Sequence, residues 1–192
     1  MRDKVALFDM DGTLADYHGQ LDVDLRKIGC ECLPDYSTRG SIPEWLDKRM
    51  ALIKSQPGWW ERLPVIESGI GLLKLCHNIG FDIHIATQGP ARAKNAWGEK
   101  YSWCEEHVKP IDPNYGISVT RNGKGLYYGR ILVDDWPEYM ESWLKNRPRG
   151  LGLMPSCSAN SGFSHPQVLK YDMENWKTQE LEDKIRAAYY RK

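Results

Sequence analysis

The sequence lacks an excess of charge of either sign. Lysine and arginine together number 26 among the 192 residues, and aspartate and glutamate also number 26, so the formal net charge is zero. A protein that holds a nucleic-acid backbone usually carries a basic excess, because each phosphate contact calls for a lysine or an arginine. The charge balance therefore disfavours a polymeric nucleic acid as a partner.

Long apolar runs and a disulfide framework are also lacking. No stretch approaches the roughly 20 apolar residues that a membrane helix needs, and the apolar run 5–8 is too short for a signal-peptide core. The five cysteines are an odd number without framework spacing. Neither 30–32 nor 104–107 has the second pair that a zinc site needs. We therefore expect a cytoplasmic protein with reduced thiols and no membrane partner; a homodimer is left open.

Three short apolar runs predict buried parallel strands, at residues 5–8, 81–86 and 130–133. Helical patterns alternate with these runs, at 70–78, where Gly80 follows as a helix end, and at 91–108. Strands that alternate with helices are typical of an α/β fold, in which a parallel sheet carries helices on both faces. The sequence therefore predicts that fold class.

The remaining segments are less regular. The stretch 16–65 is polar and broken by prolines and glycines, which predicts two or three short helices with loops. Residues 112–129 predict a turn-rich loop around the pair 122–123, Asn-Gly. We expect a further strand at 151–154 and a C-terminal helix over 168–190.

Polar residues follow the three predicted strands. Asp9 and Asp11 follow the first strand, Thr87 follows the second, and Asp134 and Asp135 follow the third. The carboxyl ends of parallel strands meet at one edge of a sheet, where ligands bind. We therefore expect these side chains to form one site.

Four carboxylates at one edge repel one another, and buried charge without compensation is costly. A divalent cation resolves the repulsion, and oxygen ligands in a partly hydrated site suit Mg²⁺. We expect Asp9 and Asp134 to be direct ligands, the backbone carbonyl of Asp11 to be a third, and Asp135 to hold a bound water.

A phosphate ester bound at this edge could be attacked by Asp9, which would give an aspartyl-phosphate intermediate. Asp11 would protonate the leaving oxygen and then activate a water molecule. Thr87 would offer its hydroxyl to a phosphoryl oxygen, and a lysine should offset the remaining negative charge. Composition leaves three lysines open for this role: Lys94, Lys100 and Lys124.

These residues resemble the motifs of the haloacid-dehalogenase (HAD) phosphohydrolase superfamily. Residues 8–16, Phe-Asp-Met-Asp-Gly-Thr-Leu-Ala-Asp, resemble the first motif, 85–87 the second and 133–135 the fourth. The resemblance implies a Rossmann-like sheet and often a cap. The domains that it predicts are a catalytic core, residues 1–15 and 66–192, and a small, mostly helical cap inserted after the first strand, residues 16–65.

Most of the chain is similar to the 5′(3′)-deoxyribonucleotidase branch of that superfamily. The similarity includes residues 57–64, Pro-Gly-Trp-Trp-Glu-Arg-Leu-Pro, and 99–103, Glu-Lys-Tyr-Ser-Trp. The branch places its third-motif lysine in a Glu-Lys-Tyr-x-Trp setting, which selects Lys100. On this interpretation Lys94 is the second choice, and Lys124 is a loop residue.

Two positions near the expected substrate depart from the branch. Gln88 stands where a serine is usual, and Trp136 stands where an arginine or lysine is frequent. The resemblance thus implies intact phosphotransfer residues, with Thr87, Gln88 and Lys100 around the phosphate, and an open nucleoside specificity.

Phenylalanine is scarce, with three residues against eight tryptophans and ten tyrosines. Tryptophan and tyrosine suit ligand pockets as well as cores, and a base stacked on an aromatic ring contributes about 1–3 kcal/mol. We expect four aromatic residues to contact the substrate: Tyr17, Trp59, Trp60 and Trp136. Trp59 and Trp60 have an equally weighted alternative role, which is to pack the cap against the core.

The sequence therefore predicts a Mg²⁺-dependent phosphomonoesterase for nucleoside monophosphates, with deoxyribonucleotides favoured by the resemblance. One alternative is a phosphatase for another small phosphoester or for the 3′-phosphate end of a polynucleotide. An alternative of another class is a non-catalytic domain that keeps the fold and binds nucleotide or phosphate.

Overall fold

A six-stranded sheet forms the centre of the protein in the computed structural model, which describes residues 4–30, 33 and 42–192. The strands are β1 (Val5–Phe8), β2 (Asp82–Gln88), β3 (Gly116–Thr120), β4 (Ile131–Val133), β5 (Leu151–Pro155) and β6 (Val168–Tyr171). Their order across the sheet is β3-β2-β1-β4-β5-β6, and every neighbouring pair is parallel. The carboxyl ends of all these strands therefore lie at one edge.

Six α-helices in the described ranges accompany the sheet. They are α1 (Tyr17–Lys27), α2 (Glu44–Lys54), α3 (Glu67–Ile79), α4 (Asn95–His107), α5 (Pro137–Asn146) and α6 (Gln179–Tyr190). Helix α1 begins after Asp16, whose carboxylate accepts a hydrogen bond from the backbone N–H of Gly19 at 2.9 Å. Helix α3 ends at Gly80, which has a left-handed φ of 112° and caps the helix as the sequence predicts.

Helices cover both faces of the sheet. Alternate side chains of each strand point to opposite faces, so neighbouring residues pack against different helices. Phe8 packs into an apolar cluster that includes Leu72 of α3 and Ile185 of α6. Its neighbour Leu7 packs into a second cluster, which includes Trp143 of α5. The predicted α/β class with a Rossmann-like parallel sheet is therefore confirmed.

Two predictions of secondary structure are wrong. The segment 112–129 contains the edge strand β3, whose side chains are all half-buried, so that it gives no continuous apolar run. The segment 168–190 is not one helix, because 168–171 form the edge strand β6. Helix α6 begins only after Thr178, whose hydroxyl oxygen accepts from the backbone N–H of Leu181 at 3.3 Å.

The expected cap segment, 16–65, contains helices α1 and α2. Leu21 and Leu25 of α1 are buried in the same apolar cluster as Leu46 of α2. Cys32 lies outside the described residues, so the structure does not test the expectation that 30–32 is not part of a zinc site. Within the described ranges, no helix has both the length and the apolar character that a membrane crossing requires.

Candidate active site

The site begins where β1 and β4 end side by side. Phe8 is paired with Val133 in the parallel register, and the backbone N–H of Asp9 donates to the carbonyl of Val133 at 2.9 Å. Asp9 and Asp134 are the next residues of the two strands. Adjacent parallel strands therefore place these two carboxylates at the same edge of the sheet.

A tight turn after Asp9 shapes the floor of the site. The carbonyl of Met10 accepts hydrogen bonds from the backbone N–H groups of Leu14 and Ala15, both at 2.8 Å. Gly12 has a φ of 76°, and a Cβ atom built on it would lie 2.4 Å from Asp135 Oδ2. Glycine at this position therefore permits both the left-handed backbone and the close approach of Asp135.

Three of the four expected carboxylates form a buried acidic cluster, Asp9, Asp134 and Asp135. One oxygen of each lies within 4.8 Å of the others, and the three residues are at most 6% exposed. Burial raises the pKa of Asp134 to about 6, although Lys124 opposes the shift. Burial and the negative charges of Asp9 and Asp134 raise the pKa of Asp135 well above its ordinary value. The cluster therefore favours a positive charge beside it.

Lys124 supplies one such charge. Its Nζ lies 2.7 Å from Asp9 Oδ1 and 2.7 Å from Asp134 Oδ2, and its side chain is 3% exposed. Burial alone would lower the pKa of Lys124, but the charges of Asp134 and Asp9 outweigh it and raise the pKa. Lys124, which the resemblance makes a loop residue, therefore contacts two of the expected site residues.

The local sequence around Lys124 does not indicate that this lysine lies beside the carboxylates. The Asn122-Gly123 pair is a turn signal, and Gly123 does adopt a left-handed φ of 90°. Lys124 then begins a short 3₁₀ helix, Lys124–Leu126, between β3 and β4. Because β3 was not predicted, its carboxyl end was not expected at the edge of the sheet that holds the site.

Lys100 holds the fourth carboxylate, that of Asp11, away from the acidic cluster. Its Nζ donates to Asp11 Oδ2 at 2.6 Å, to Thr87 Oγ1 at 3.0 Å and to the carbonyl of Gln88 at 2.8 Å. Asp11 Oδ1 is buried and has no hydrogen-bond partner in the part of the chain that the structure describes. Burial raises the pKa of Asp11, and the charge of Lys100 opposes that shift. Lys94, the second-choice lysine, is exposed.

The side-chain amide of Gln88 forms hydrogen bonds with two other segments of the chain. Its Nε2 donates to the carbonyl of Arg121, and its Oε1 accepts from the hydroxyl of Tyr139. The ring of Tyr139 lies over Lys124, with 4.6 Å between Nζ and the ring centroid. Tyr139 was not among the expected site residues, and its place depends on how α5 packs rather than on any local signal.

A cleft of about 270 Å³ opens beside these groups. It lies between the strand ends and the segment 16–65, since residues of both line it. Three of the four expected aromatic contacts are in its wall: Tyr17, Trp60 and Trp136. Trp59 is 6% exposed and outside the cleft lining; its indole N–H donates to Asp24 Oδ2 at 2.9 Å.

The aromatic wall is anchored to helix α4. Tyr17 stacks on Trp60, with 5.6 Å between the ring centroids and 24° between the planes. The Glu99 carboxylate accepts hydrogen bonds from the backbone N–H groups of Gly58 at 2.8 Å and Trp60 at 3.1 Å. The adjacent Lys100 reaches the strand ends, so one turn of α4 ties the aromatic wall to the polar floor.

Asn160 is a further polar residue that sequence reasoning missed. It is 1% exposed, and its Nδ2 donates to the carbonyls of Asp135 at 3.0 Å and Pro155 at 2.8 Å. These bonds fix the loop that carries Asp135. A single asparagine has no sequence signal for this role, because its partner Asp135 lies 25 residues away in the chain.

Comparison with known proteins gives a family context for this geometry. No family model matches the chain. The human cytosolic-type 5′(3′)-deoxyribonucleotidase is 28% identical over 141 residues, a match that covers 67% of this chain and 69% of the human protein.

Solved structures show the same fold. A HAD-family hydrolase from Deinococcus radiodurans, with bound phosphate and sodium, has a TM-score of 0.53 and 14% identity; the match covers 97% of this chain and 94% of that chain. A HAD-like family hydrolase from Xanthomonas campestris also has a TM-score of 0.53, with 13% identity and coverage of 97% and 96%. At these identities the likeness concerns the fold alone.

The fold is that of the HAD-like hydrolases. In sequence the chain is similar to the human deoxyribonucleotidase, and in fold it is similar to HAD-family hydrolases. The fold that the motif resemblance implies is therefore confirmed.

Proposed function

We propose that this protein is a Mg²⁺-dependent phosphomonoesterase that dephosphorylates nucleoside monophosphates through an aspartyl-phosphate intermediate. The observation that carries the proposal is the division of four carboxylates into two groups. Asp9, Asp134 and Asp135 lie together, while Asp11 is held apart by Lys100 at 2.6 Å. A nucleophile and an acid therefore have different surroundings in the same cleft.

Asp9 suits the role of nucleophile. Its Oδ1 lies 2.7 Å from Lys124 Nζ, and the residue lines the cleft in which the ester would bind. In the first step, a carboxylate oxygen of Asp9 bonds to phosphorus while the bond from phosphorus to the ester oxygen breaks. The leaving oxygen takes a proton from Asp11, whose raised pKa favours the protonated form.

The second step regenerates the enzyme. Asp11, now ionised, takes a proton from a water molecule whose oxygen attacks phosphorus, and the bond between phosphorus and Asp9 breaks. Thr87 Oγ1 accepts from Lys100, so its own proton is left to donate to a phosphoryl oxygen. We propose Gln88 as a further phosphate contact, because it lines the cleft.

The acidic cluster fits a magnesium ion. Its donors are all carboxylate oxygens, the type that Mg²⁺ prefers. Lys124 contacts Asp9 and Asp134, but Asp135 has no cation partner among the described residues. When bound, Mg²⁺ would offset the negative charge of the carboxylates and the phosphoryl group. We propose that Asp9, Asp134 and Asp135 hold it, with Asp11 contributing its backbone carbonyl.

The aromatic wall supports a nucleoside as the leaving group. Tyr17, Trp60 and Trp136 line the cleft beside Asp9 and Asp11, and a flat base gains free energy by stacking on such rings. The human relative is a deoxyribonucleotidase, which supports the same substrate class for this protein. We propose that the segment 16–65, which supplies part of this wall, is a cap over the core.

A substrate panel tests the proposal. Purified protein with Mg²⁺ should release phosphate from nucleoside monophosphates faster than from phosphomonoesters without a base. The panel includes 5′ and 3′ phosphates, ribose and deoxyribose, a 3′-phosphorylated oligonucleotide and p-nitrophenyl phosphate. Preference for a sugar phosphate or for the oligonucleotide would contradict the nucleotidase assignment, and binding of nucleotide without any turnover would indicate a non-catalytic domain.

Two controls accompany the panel. Asp9→Asn should abolish turnover while the circular dichroism spectrum stays native, because the amide is a poor nucleophile of nearly the same shape. Chelation by EDTA should also stop phosphate release. Retained activity in the variant would contradict the nucleophile, and full activity in EDTA would contradict the metal.

A further inference from the structure

Lys54, the last residue of α2, lines the cleft and takes no part in the chemistry proposed above. Its Nζ donates to the hydroxyl oxygen of Tyr17 at 3.2 Å. Its backbone carbonyl accepts from Trp60 Nε1 at 2.9 Å and from Asn95 Nδ2 at 3.3 Å. Hydrogen bonds from Trp60 and from Asn95 of α4 therefore fix the backbone position of Lys54.

Most charged side chains at the cleft have a partner of opposite sign. The pairs are Asp9 with Lys124 at 2.7 Å, Asp11 with Lys100 at 2.6 Å and Asp47 with Arg92 at 2.9 Å. In the described part of the lining, Asp135 and Lys54 have no such partner, and Asp135 belongs to the acidic cluster. Lys54 is therefore a positive charge with no assigned counterion.

The surroundings of Lys54 make an added anion favourable. The residue is half-buried, and burial lowers the pKa of Lys54, while Asp47 and Asp11 counter the shift only in part. Burial also raises the pKa of Tyr17, so this phenol stays neutral and gives Lys54 no counter-charge. A partly desolvated cation gains most from an anionic partner.

In the described part of the chain, Lys54 and Tyr17 also have hydrogen-bond donors that are free to bind an acceptor. An ammonium group has three protons to donate and accepts nothing, and the Tyr17 hydroxyl, which accepts from Lys54, still has its own proton to donate. The charge of Lys54 also interacts with that of Asp11, the proposed acid for the leaving oxygen. Lys54 and Tyr17 line the same cleft as Asp11.

We propose that Lys54 and Tyr17 form a subsite for a second anionic group, so that the preferred substrates carry a further phosphoryl group besides the one that is cleaved. This inference rests on the proposed phosphatase function and narrows its substrate class. A nucleoside 3′,5′-bisphosphate fits the description, with its second phosphate on the sugar that leaves.

The test compares thymidine 5′-monophosphate with thymidine 3′,5′-bisphosphate, with kcat/KM measured for release of the 5′-phosphate. A hydrogen bond to a charged group is worth about 1.5–3 kcal/mol, so the wild type should prefer the bisphosphate by about tenfold or more. Lys54→Met should remove most of this preference. Lys48→Met is the matched control, because Lys48 is on the same helix with a side chain 73% exposed, and it should keep the wild-type ratio.

Calorimetric binding of the two nucleotides to Asp9→Asn, with and without Lys54→Met, gives a readout that needs no turnover. The bisphosphate should bind more tightly, and Lys54→Met should remove the difference. Equal kcat/KM values in the wild type, or a preference that survives in Lys54→Met, would overturn the subsite and leave the phosphatase intact. Absence of turnover with every phosphomonoester would overturn the proposed function, and the binding ratios would still decide the subsite.

Discussion

Lys124 and Asp9 form a buried ion pair, with 2.7 Å between Nζ and Oδ1 and side chains that are 3% and 8% exposed. The same ammonium lies 2.7 Å from Asp134 Oδ2. Through these two contacts, Lys124 links the segment that follows β3 to the ends of β1 and β4. It thus links the proposed nucleophile to a lysine that the sequence did not select.

Replacing Lys124 should therefore affect both folding and turnover. Lys124→Met leaves the Asp9 and Asp134 carboxylates buried without their cation, and breaking a buried pair in this way typically costs about 3–5 kcal/mol. We expect the free energy of unfolding in EDTA, measured by urea denaturation, to fall by that order, and phosphate release to be lost.

Lys94→Met is the control for this variant, because Lys94 is exposed at the start of α4. It should leave both the urea midpoint and the activity near those of the wild type. If Lys124→Met were as active as this control, Lys124 would have no part in the site.

Magnesium should stabilise the protein in a pH-dependent way. Ligand carboxylates must be deprotonated to bind a metal. Burial raises the pKa values of Asp134 and Asp135, so protons compete with the metal at a higher pH than for exposed carboxylates. We expect Mg²⁺ to raise the Tm of EDTA-treated protein more at about pH 8 than at about pH 5.

Differential scanning fluorimetry measures this shift. The matched variant Asp135→Asn should show a smaller Mg²⁺-dependent rise in Tm at the higher pH, because it lacks a carboxylate that forms no ion pair within the described residues. A rise in Tm that is the same at both pH values, or that grows as the pH falls, would contradict a metal bound by these carboxylates.

The neighbouring tryptophans Trp59 and Trp60 should have different roles. Trp60 lines the cleft, so Trp60→Ala should raise KM for a nucleoside monophosphate by about tenfold or more, as loss of base stacking predicts. KM for p-nitrophenyl phosphate should change less. Both tryptophans are buried, Trp59 at 6% and Trp60 at 2% exposed, so each alanine variant should lower stability, by about 3–5 kcal/mol. Trp59 is outside the cleft lining, so Trp59→Ala should leave KM nearly unchanged.

Steady-state kinetics and urea denaturation of the two variants separate these roles. Equal changes of KM in both variants would contradict the assignment of Trp60 alone to the base.

The sequence was sufficient for the sheet centre and for the carboxylates at its edge. The strands β1 and β4 are continuous apolar runs, and β2 has a buried apolar stretch at Ile83, Ile85 and Ala86. Polar residues stand at the end of each strand or directly after it. Their meeting at one edge follows from parallel topology alone. The α/β class and the closeness of Asp9 to Asp134 could therefore be predicted without coordinates.

The edge strands and the contacts across the cleft could not be predicted in this way. Strands β3 and β6 are half-buried for most of their length and lack a continuous apolar run, so local patterns favoured a loop and a helix instead. Each of Lys54, Lys124 and Tyr139 has a partner far away in the chain, namely Tyr17, Asp9 and Gln88. Such contacts depend on how helices and turns pack, which no local spacing encodes.

The central claim is that Asp9 becomes phosphorylated during turnover, and a trapped intermediate tests it most directly. Asp11→Asn should still transfer a phosphoryl group from p-nitrophenyl phosphate, because p-nitrophenolate leaves without an acid, but it lacks the base that activates water. Rapid acid quenching and peptide mass spectrometry should then find one added phosphoryl group on Asp9. A phosphoryl group on another residue, or none while p-nitrophenol is released, would contradict the account.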